Sequence, residues 1–562
     1  YLPGRLIVKL KETRSDETRS AVEARLSRVL LSAGAYEAET QEAMMLDNTY
    51  IVSVTEGMEA EAAAELADEP EVDFVEPDYL AHVSPCELGF CNPTHDFYAQ
   101  RKWDLHNSGR FAIPGGTFVY TGKADADVDF LEAYSELNRE LNGAAVIGII
   151  DSGIRATHTE MAGRVVAARN FAAGYPATLT DDRIGHGTHV AGIVAGHGKV
   201  AFHGIAWGQN VKLVNAKACE LYRFPDGSIG SSCPSSSIAN AIVWAVDNGA
   251  NVLNLSISTA ASVPVGPEAQ RVALAYARSK NVLPFCATGN DGAGSIGWPA
   301  RFEECVAVGS TDWGDVRASY SNHGVGIDLV APGGSTTASW PYSGILSSYN
   351  TGNDSYAYMS GTSMASPAAA GLAALLWAQG IHNADEVLAR MQQTVDDLGA
   401  AGYDQEYGAG RINVCRALDP KAVRTSMPLA FNRKADGTYT VVIYAELQAV
   451  EQPVHSAGTI GTQSHDGNVE PIVHFGFDPA KLETANITLG DGHGVEAHIE
   501  LKHDAYRSAL VDVDLDGDLD LELKFDKAAL AEAVPSGTTE LVITGNIGCR
   551  RVTAHEHVTV LH

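Results

Sequence analysis

Hydrophobic periodicity divides the chain into three stretches of different character. Residues 5–10, Arg-Leu-Ile-Val-Lys-Leu, alternate as a half-buried strand does, and 17–31 carry apolar residues at helical spacing. A second strand is expected at 50–54, a second helix at 59–66 and an extended segment at 71–80, so 1–83 is predicted to be a small α+β unit. Further on, unbroken apolar runs at 146–150, 211–215, 252–256, 282–287 and 306–309 alternate with helical stretches at 238–246 and 271–279. Strands that are apolar on both faces, with helices between them, predict an α/β fold over 84–420 with a parallel sheet covered on both sides. Past Asp419 and Pro420, short alternating strands at 439–444, 472–475 and 540–544, separated by Gly, Asp and Asn turns, predict a β-sandwich-like domain over 421–562.

Length and charge narrow the classes of function. With 562 residues the chain has room for several domains, since single cores seldom exceed about 250–300 residues. Its apolar share of 45% suits a globular protein, and no stretch reaches the roughly eighteen uninterrupted apolar residues of a membrane helix. A net charge of −31 argues against nucleic acid and anionic membranes as partners. The chain begins at Tyr1 rather than Met, from which removal of an export signal and a secreted protein are expected. The eight cysteines form an even set, as in disulfide-bonded exported proteins. Cys86–Cys91 and Cys219–Cys233 are the expected pairs, each closing a loop rich in Gly, Pro or Ser. Cys286 and Cys305 fall on two apolar strands, where a bridge and two buried free thiols both remain open.

Candidate chemistry centres on 359–370, Met-Ser-Gly-Thr-Ser-Met-Ala-Ser-Pro-Ala-Ala-Ala. The apolar run that follows, with Pro367 tolerated in a first turn, predicts a buried helix entered near Ser363. There the unpaired N–H groups and the positive end of the helix dipole would stabilise an attacking serine and its oxyanion. The same letters also suit an N-capping serine above a small-residue core helix. Upstream, 146–154 is a buried strand ending in Asp151, and 185–192 is a glycine-flanked helix start bearing His186.

The segment Gly361-Thr-Ser363-Met-Ala-Ser-Pro367 resembles, letter for letter, the nucleophile motif of the subtilisin-like serine peptidases, and Asp151, His186 and Ser363 follow in that family's order. The resemblance implies that Ser363 is the nucleophile, His186 the general base and Asp151 the group that orients it, with Asn290 donating to the oxyanion. It implies that 1–83 is an inhibitory propeptide, cut away between about Leu80 and Pro85. A substrate would lie as an added strand against Ser256, Ile257 and Ser258, where the family usually reads Ser-Leu-Gly, and against a second edge at 227–230. Ala287, Thr288 and Gly289 would form the other wall of the first specificity pocket and Gly297 its floor. Because Gly297 carries no side chain, the pocket is expected to be deep and to prefer Phe, Tyr, Leu or Met. The expected function is thus a secreted, self-processing serine endopeptidase, a monomer that acts on protein or peptide substrates and is held by its own propeptide. Its competitors are a catalytically silent subtilase fold used for binding and a processing protease with strict basic specificity.

No metal is needed for this chemistry. His186 and His189, three apart, would allow a zinc pair, but no general-base Glu stands between them. Calcium is expected instead at Asp512, Asp514, Asp516, Asp518 and Asp520, where alternate carboxylates and Gly517 repeat the opening of a calcium loop. Leu523 stands where the closing Glu would be, so an edge strand with one acidic face is the other reading. Glu160 stands where many subtilases place a calcium-binding carboxylate, but 197–202 offers no matching carboxylate or amide.

Overall fold

A computed structural model describes residues 1–11, 41–82, 143–198, 210–223, 229–335 and 343–418, shorter pieces among these, and beyond 420 the strands named below. The chain forms two units, one of Tyr1–Phe130 with Arg139–Ala417 and one of Leu131–Asn138 with Leu418–His562.

The first unit opens with an antiparallel sheet of β1 (Arg5–Leu10), β2 (Gln41–Ala43), β3 (Thr49–Ser53) and β4 (Val72–Pro77), in the order β2-β3-β1-β4, with α1 (Glu59–Ala67) preceding β4. Side chains on a strand alternate between faces, and here both faces are apolar. Leu6, Val8 and Leu10 share a core with Val52, Leu66 and the helically spaced Val22, Leu26, Val29 and Leu30. Ile7 and Ile51, on the opposite face, join Met44 and Leu46 in the core of the larger body that follows. Such a sheet cannot leave its second face to water, so it settles on that body.

After β5 (Leu80–Ala81) and a hairpin of β6 (Arg110–Ala112) and β7 (Val119–Thr121), the body is built on β8 (Ala145–Asp151), β9 (Val165–Asn170) and β10 (Val211–Lys217). An antiparallel pair, β11 (Glu220–Arg223) and β12 (Ile229–Pro234), intervenes before β13 (Val252–Leu255), β14 (Leu283–Ala287), β15 (Val306–Thr311) and β16 (Leu329–Pro332). The seven-stranded sheet runs β16-β15-β14-β13-β8-β10-β9 with every neighbour parallel, as the apolar runs predict. Helices α2 (His186–Ala195) and α5 (Thr362–Ala378) cover one face, α3 (Ser235–Asp247) and α4 (Glu268–Ser279) the other. Alternation along β13 sorts the two faces. Leu253 and Leu255 pack with Ile238, Ile242 and Leu274, while Asn254 between them bonds Ser366 of α5 at 2.8 Å. An antiparallel hairpin, β17 (Ile345–Tyr349) and β18 (Ser355–Met359), feeds α5, and α6 (Ala384–Gln393) and α7 (Val414–Leu418) finish the unit.

Cys219–Cys233 closes the β11–β12 hairpin, and Cys286–Cys305 ties β14 to the residue before β15, so free thiols do not occur there. Cys415 is also bridged, to a cysteine outside the described residues, where the expected Cys86–Cys91 pairing lies as well. Among the described residues no helix is long and apolar enough to cross a membrane.

The second unit is all β in its described part. Its strands are β19 (Val423–Ser426), β20 (Ala430–Asn432), β21 (Thr438–Ala445), β22 (Asn486–Gly490), β23 (Ile499–Glu500), β24 (Leu510–Val511), β25 (Asp520–Asp526), β26 (Glu540–Ile547), β27 (Arg550–His557) and β28 (Thr559–Leu561). They form antiparallel sheets β19-β21-β25-β24 and β23-β22-β26-β27 and a parallel pair β20-β28. The expected strands at 439–444 and 540–544 lie inside β21 and β26, and 472–475 lies outside the described residues.

Candidate active site

The sheet reverses its direction of growth between β8 and β13: the chain adds β9 and β10 on one side, then β13 to β16 on the other. A parallel sheet opens a crevice at the carboxyl ends of its strands at such a point. Asp151 is the last residue of β8 and Ser256 follows β13, so both lie on this edge. His186 opens α2, and Ser363 is the second residue of α5.

Asp151 and His186 are both buried. The ring Nδ1–H donates to Asp151 Oδ1 at 2.8 Å, and the Ser152 N–H donates to the same oxygen at 2.7 Å. A carboxylate is acceptor-only, so this bond fixes the proton on Nδ1 and leaves Nε2 as an acceptor. Nε2 meets no hydrogen-bond partner among the described residues. A second buried carboxylate, Asp182, holds the two residues in place. It accepts from the N–H groups of Ile184, Gly185 and Thr188 and from the hydroxyls of Thr188 and Ser152, tying the end of β8 to the first turn of α2. Burial pushes its carboxyl above the usual range, and those donors pull the other way. Gly185 completes the turn at φ 100°, where an added methyl would overlap the Tyr349 ring.

Ser363 is held from the side of β13. Its hydroxyl donates to Ser256 O at 3.3 Å, and Ser256 Oγ donates to Ser363 O at 2.8 Å. The second bond explains how α5 accommodates a proline. The helix begins at Thr362, so Pro367 lies beyond the first turn in which it was expected. Having no N–H, Pro367 cannot bond the carbonyl four residues back, which belongs to Ser363. Ser256 satisfies that carbonyl instead. Asn254 Nδ2 in turn donates to Ser256 Oγ at 2.9 Å, extending the network to Ser366. On the other flank, Asn290 is exposed, and its Oδ1 accepts from the Thr362 N–H and hydroxyl at 2.9 and 3.0 Å. Spending the carbonyl oxygen on Thr362 leaves the amide Nδ2 as the outward donor. The Thr362 hydroxyl also accepts from the Gly289 N–H at 3.1 Å.

Residues 79–82 lie as a strand between two edges beside this network. Ala81 and Leu80 pair antiparallel with Cys233 and Pro234, and His82 forms an antiparallel bridge with Ser258. The second edge is supplied by β12, whose first residues, Ile229 and Gly230, fall in the expected stretch 227–230 and whose last residues, Cys233 and Pro234, make the pairing; 227 and 228 lie outside the described residues. Two carboxylates just upstream cap the helices of the body. Glu76 accepts from the N–H groups of Glu268 and Ala269 at the start of α4, and Asp78 from the N–H and hydroxyl of Ser236 at the start of α3.

The first pocket departs from expectation. Gly297 lies in close contact with Ser258 and Thr259. A methyl group added there would overlap Ser258 Oγ and come within 2.5 Å of Thr259 O, and one added to Gly289 would lie 2.9 Å from Ser258 Oγ. The room that two glycines leave is taken by the serine that stands where the family usually has a third. Ile257 points the other way, into the core.

Comparison with known proteins agrees with this arrangement. A model of the subtilase family matches residues 142–410. A thermophilic serine proteinase of Bacillus sp. (strain AK1) is 31% identical over 418 residues, which cover 74% of this chain and 88% of that protein. The chain belongs to the subtilase family. Subtilisin Savinase of Lederbergia lenta is 34% identical over 286 residues, 50% of this subtilase and 94% of Savinase. The epidermin leader peptide processing serine protease of Staphylococcus aureus shares the fold, with a TM-score of 0.53 at 18% identity over 74% of this chain and 98% of its own. This subtilase is accordingly a serine endopeptidase.

Among the described residues of this subtilase, Asp125, Asp127 and Asp129 bring carboxylate oxygens within 4.8 Å of one another, and the positions singled out in the sequence lie elsewhere. His189 is no partner for a zinc ion with His186, because its Nε2 lies 3.1 and 3.0 Å from the carbonyls of Ile345 and Ala357, and burial pushes its pKa down to about 3. Glu160 is buried with Tyr356 Oη at 3.3 Å from its Oε1, and its charge acts on Arg164 and His203. Of the acidic run in the tail, Asp520 opens β25 opposite Val511, and Asp512, Asp514, Asp516 and Asp518 lie outside the described residues. Three positioning groups escaped the sequence: Asp182, Asn254 and Ser366. The available signals were an aspartate four residues before His186 and a lone polar residue in the apolar run of β13.

Proposed function

We propose that this subtilase is a secreted endopeptidase, active as a monomer, that uses Ser363, His186 and Asp151 as its catalytic triad and releases itself from an N-terminal propeptide. The observation that carries the reading is the buried Asp151–His186 bond at the sheet's reversal point, which leaves Nε2 able to take a proton. When a peptide carbonyl arrives, Ser363 Oγ leaves Ser256 O, gives its proton to Nε2 and attacks the carbonyl carbon. The tetrahedral oxyanion is met by Asn290 Nδ2 and the Ser363 N–H at the head of α5. His186 then passes the proton to the leaving amine, and water repeats the sequence to free the acid. Asp151 stays ionised throughout and stabilises the imidazolium.

Residues 1 to about 83 act as the propeptide in this reading. Support comes from the strand at 79–82 held between β12 and Ser258, and from an N-terminal sheet whose second face is buried on the body. Disulfides fit secretion. The carboxylates of 512–520 are proposed to bind calcium in the tail, away from any catalytic step. The test is Ser363→Ala expressed in a protease-free host. Hydrolysis should vanish and the variant should stay full-length while the wild type loses its N-terminal segment. Retained hydrolysis would reject the nucleophile, and normal maturation would reject self-processing.

A further inference from the structure

Ser256, Ile257 and Ser258 leave β13 in extended form, so the side chains of Ser256 and Ser258 share one face. That face looks toward Gly289 and Gly297, whose added methyl groups would meet Ser258 Oγ, and Ser256 is bonded to Ser363. Ser258 Oγ donates to Thr259 O at 2.9 Å, which holds the hydroxyl over the two glycines. Gly297 N–H in turn bonds Thr288 O at 2.8 Å, and Thr259 N–H bonds Trp298 O at 2.8 Å. These cross-links prevent the walls from moving apart to make room. His82 sets the register of a strand on this edge by pairing with Ser258. In an antiparallel strand, the residue two positions further on opposes Ser256, beside Ser363, and directs its side chain to the face that carries Ser258 Oγ.

We propose that Ser258 closes the base of the acyl-side pocket and makes this subtilase selective for small side chains, Ala and Ser, over large apolar ones. The inference rests on Ser363 being the nucleophile. A large ring entering the pocket would have to expel a hydroxyl from its hydrogen bond and spread two walls that are each bonded to the floor segment, through Thr288 to Gly297 and through Thr259 to Trp298. Misfits far smaller than a ring already separate substrates by roughly 10- to 200-fold per methylene. Ser258→Gly removes the obstruction and restores the glycine-lined depth.

The test is kcat/KM of the matured enzyme on peptides identical except for Ala, Ser, Leu or Phe before the cut bond. The wild type is expected to favour Ala over Phe by at least about tenfold, and Ser258→Gly to shift that ratio toward Phe by at least as much. Ser258→Ala, which keeps the carbon and drops the oxygen, should fall between them and serves if the glycine variant does not mature. A wild type that cleaves Phe as well as Ala, or a ratio that neither variant moves, overturns the inference. Labelling by a small fluorophosphonate and hydrolysis of casein separate the two failures. Activity that depends on Ser363 but ignores side-chain size rejects the narrow pocket alone, whereas no labelling and no hydrolysis rejects the nucleophile and the inference with it.

Discussion

Docking of the N-terminal segment should weaken as the pH rises. Glu76 caps the start of α4 from the N-terminal sheet and is almost fully buried there. Two opposed effects act on its carboxyl. Burial disfavours the charge, and the Glu268 and Asp78 carboxylates add to that, while the two N–H groups of α4 favour it. Burial wins and pushes the pKa from 4.5 up to about 7. Asp78, capping α3, is raised by burial in the same direction, with Arg5 and Ser236 opposing. A carboxyl with a higher pKa docked than free takes up a proton on docking. Its contribution is therefore complete below the free value and is lost as pH rises through about 7. For Glu76 the difference amounts to on the order of 3 kcal/mol, roughly a few hundredfold in affinity. The assay is inhibition of matured enzyme by added 1–83 between about pH 5 and 8.5, read as an inhibition constant. The constant should rise with pH in the wild type. Glu76→Gln should flatten that rise, at the cost of about 1 kcal/mol for the lost acceptor. A constant that is flat or falls over this range would mean that the helix N-termini outweigh burial, and the reasoning would be wrong.

Asn290→Ala should lower kcat by about 10²–10³ with little change in KM, since a donor to the oxyanion acts in the transition state; an unchanged kcat would remove Asn290 from the site. Asp182→Ala strands five buried donors at the start of α2 and should destabilise the protein by roughly 3–5 kcal/mol in denaturant unfolding. An unfolding midpoint equal to the wild type's would deny that role. If the acidic run at 512–520 binds calcium, a thermal transition of full-length Ser363→Ala should move upward with calcium concentration, and equal melting in calcium and in chelator would favour an acidic edge strand.

What could be read from the sequence was local. The strand ending in Asp151, the helix start at His186 and the serine entering α5 each occupy a few consecutive residues, and the both-faces-apolar runs of β8, β10 and β13 report a parallel sheet without knowledge of their neighbours. What could not be read depends on which segments meet. Pro367 reads as a first-turn residue because proline is safe there, and its place deeper in α5 is tolerated only because Ser256, more than a hundred residues earlier, supplies the missing donor to Ser363 O. The second groove edge has the same cause, since only pairing shows that the strand begun by Ile229 and Gly230 runs on to Cys233 and Pro234 and meets β5 there. Gly297 is the sharpest case. A missing side chain is legible at once, but the space in front of a glycine belongs to whichever neighbour points into it. Here that neighbour is Ser258, thirty-nine residues upstream and held near Gly297 by the bond from the Thr259 N–H to Trp298 O. On the proposal made for Ser258, its hydroxyl turns an expected deep pocket into a shallow one, and specificity would then follow from the one residue of the Ser-Ile-Ser edge that departs from the family's usual glycine.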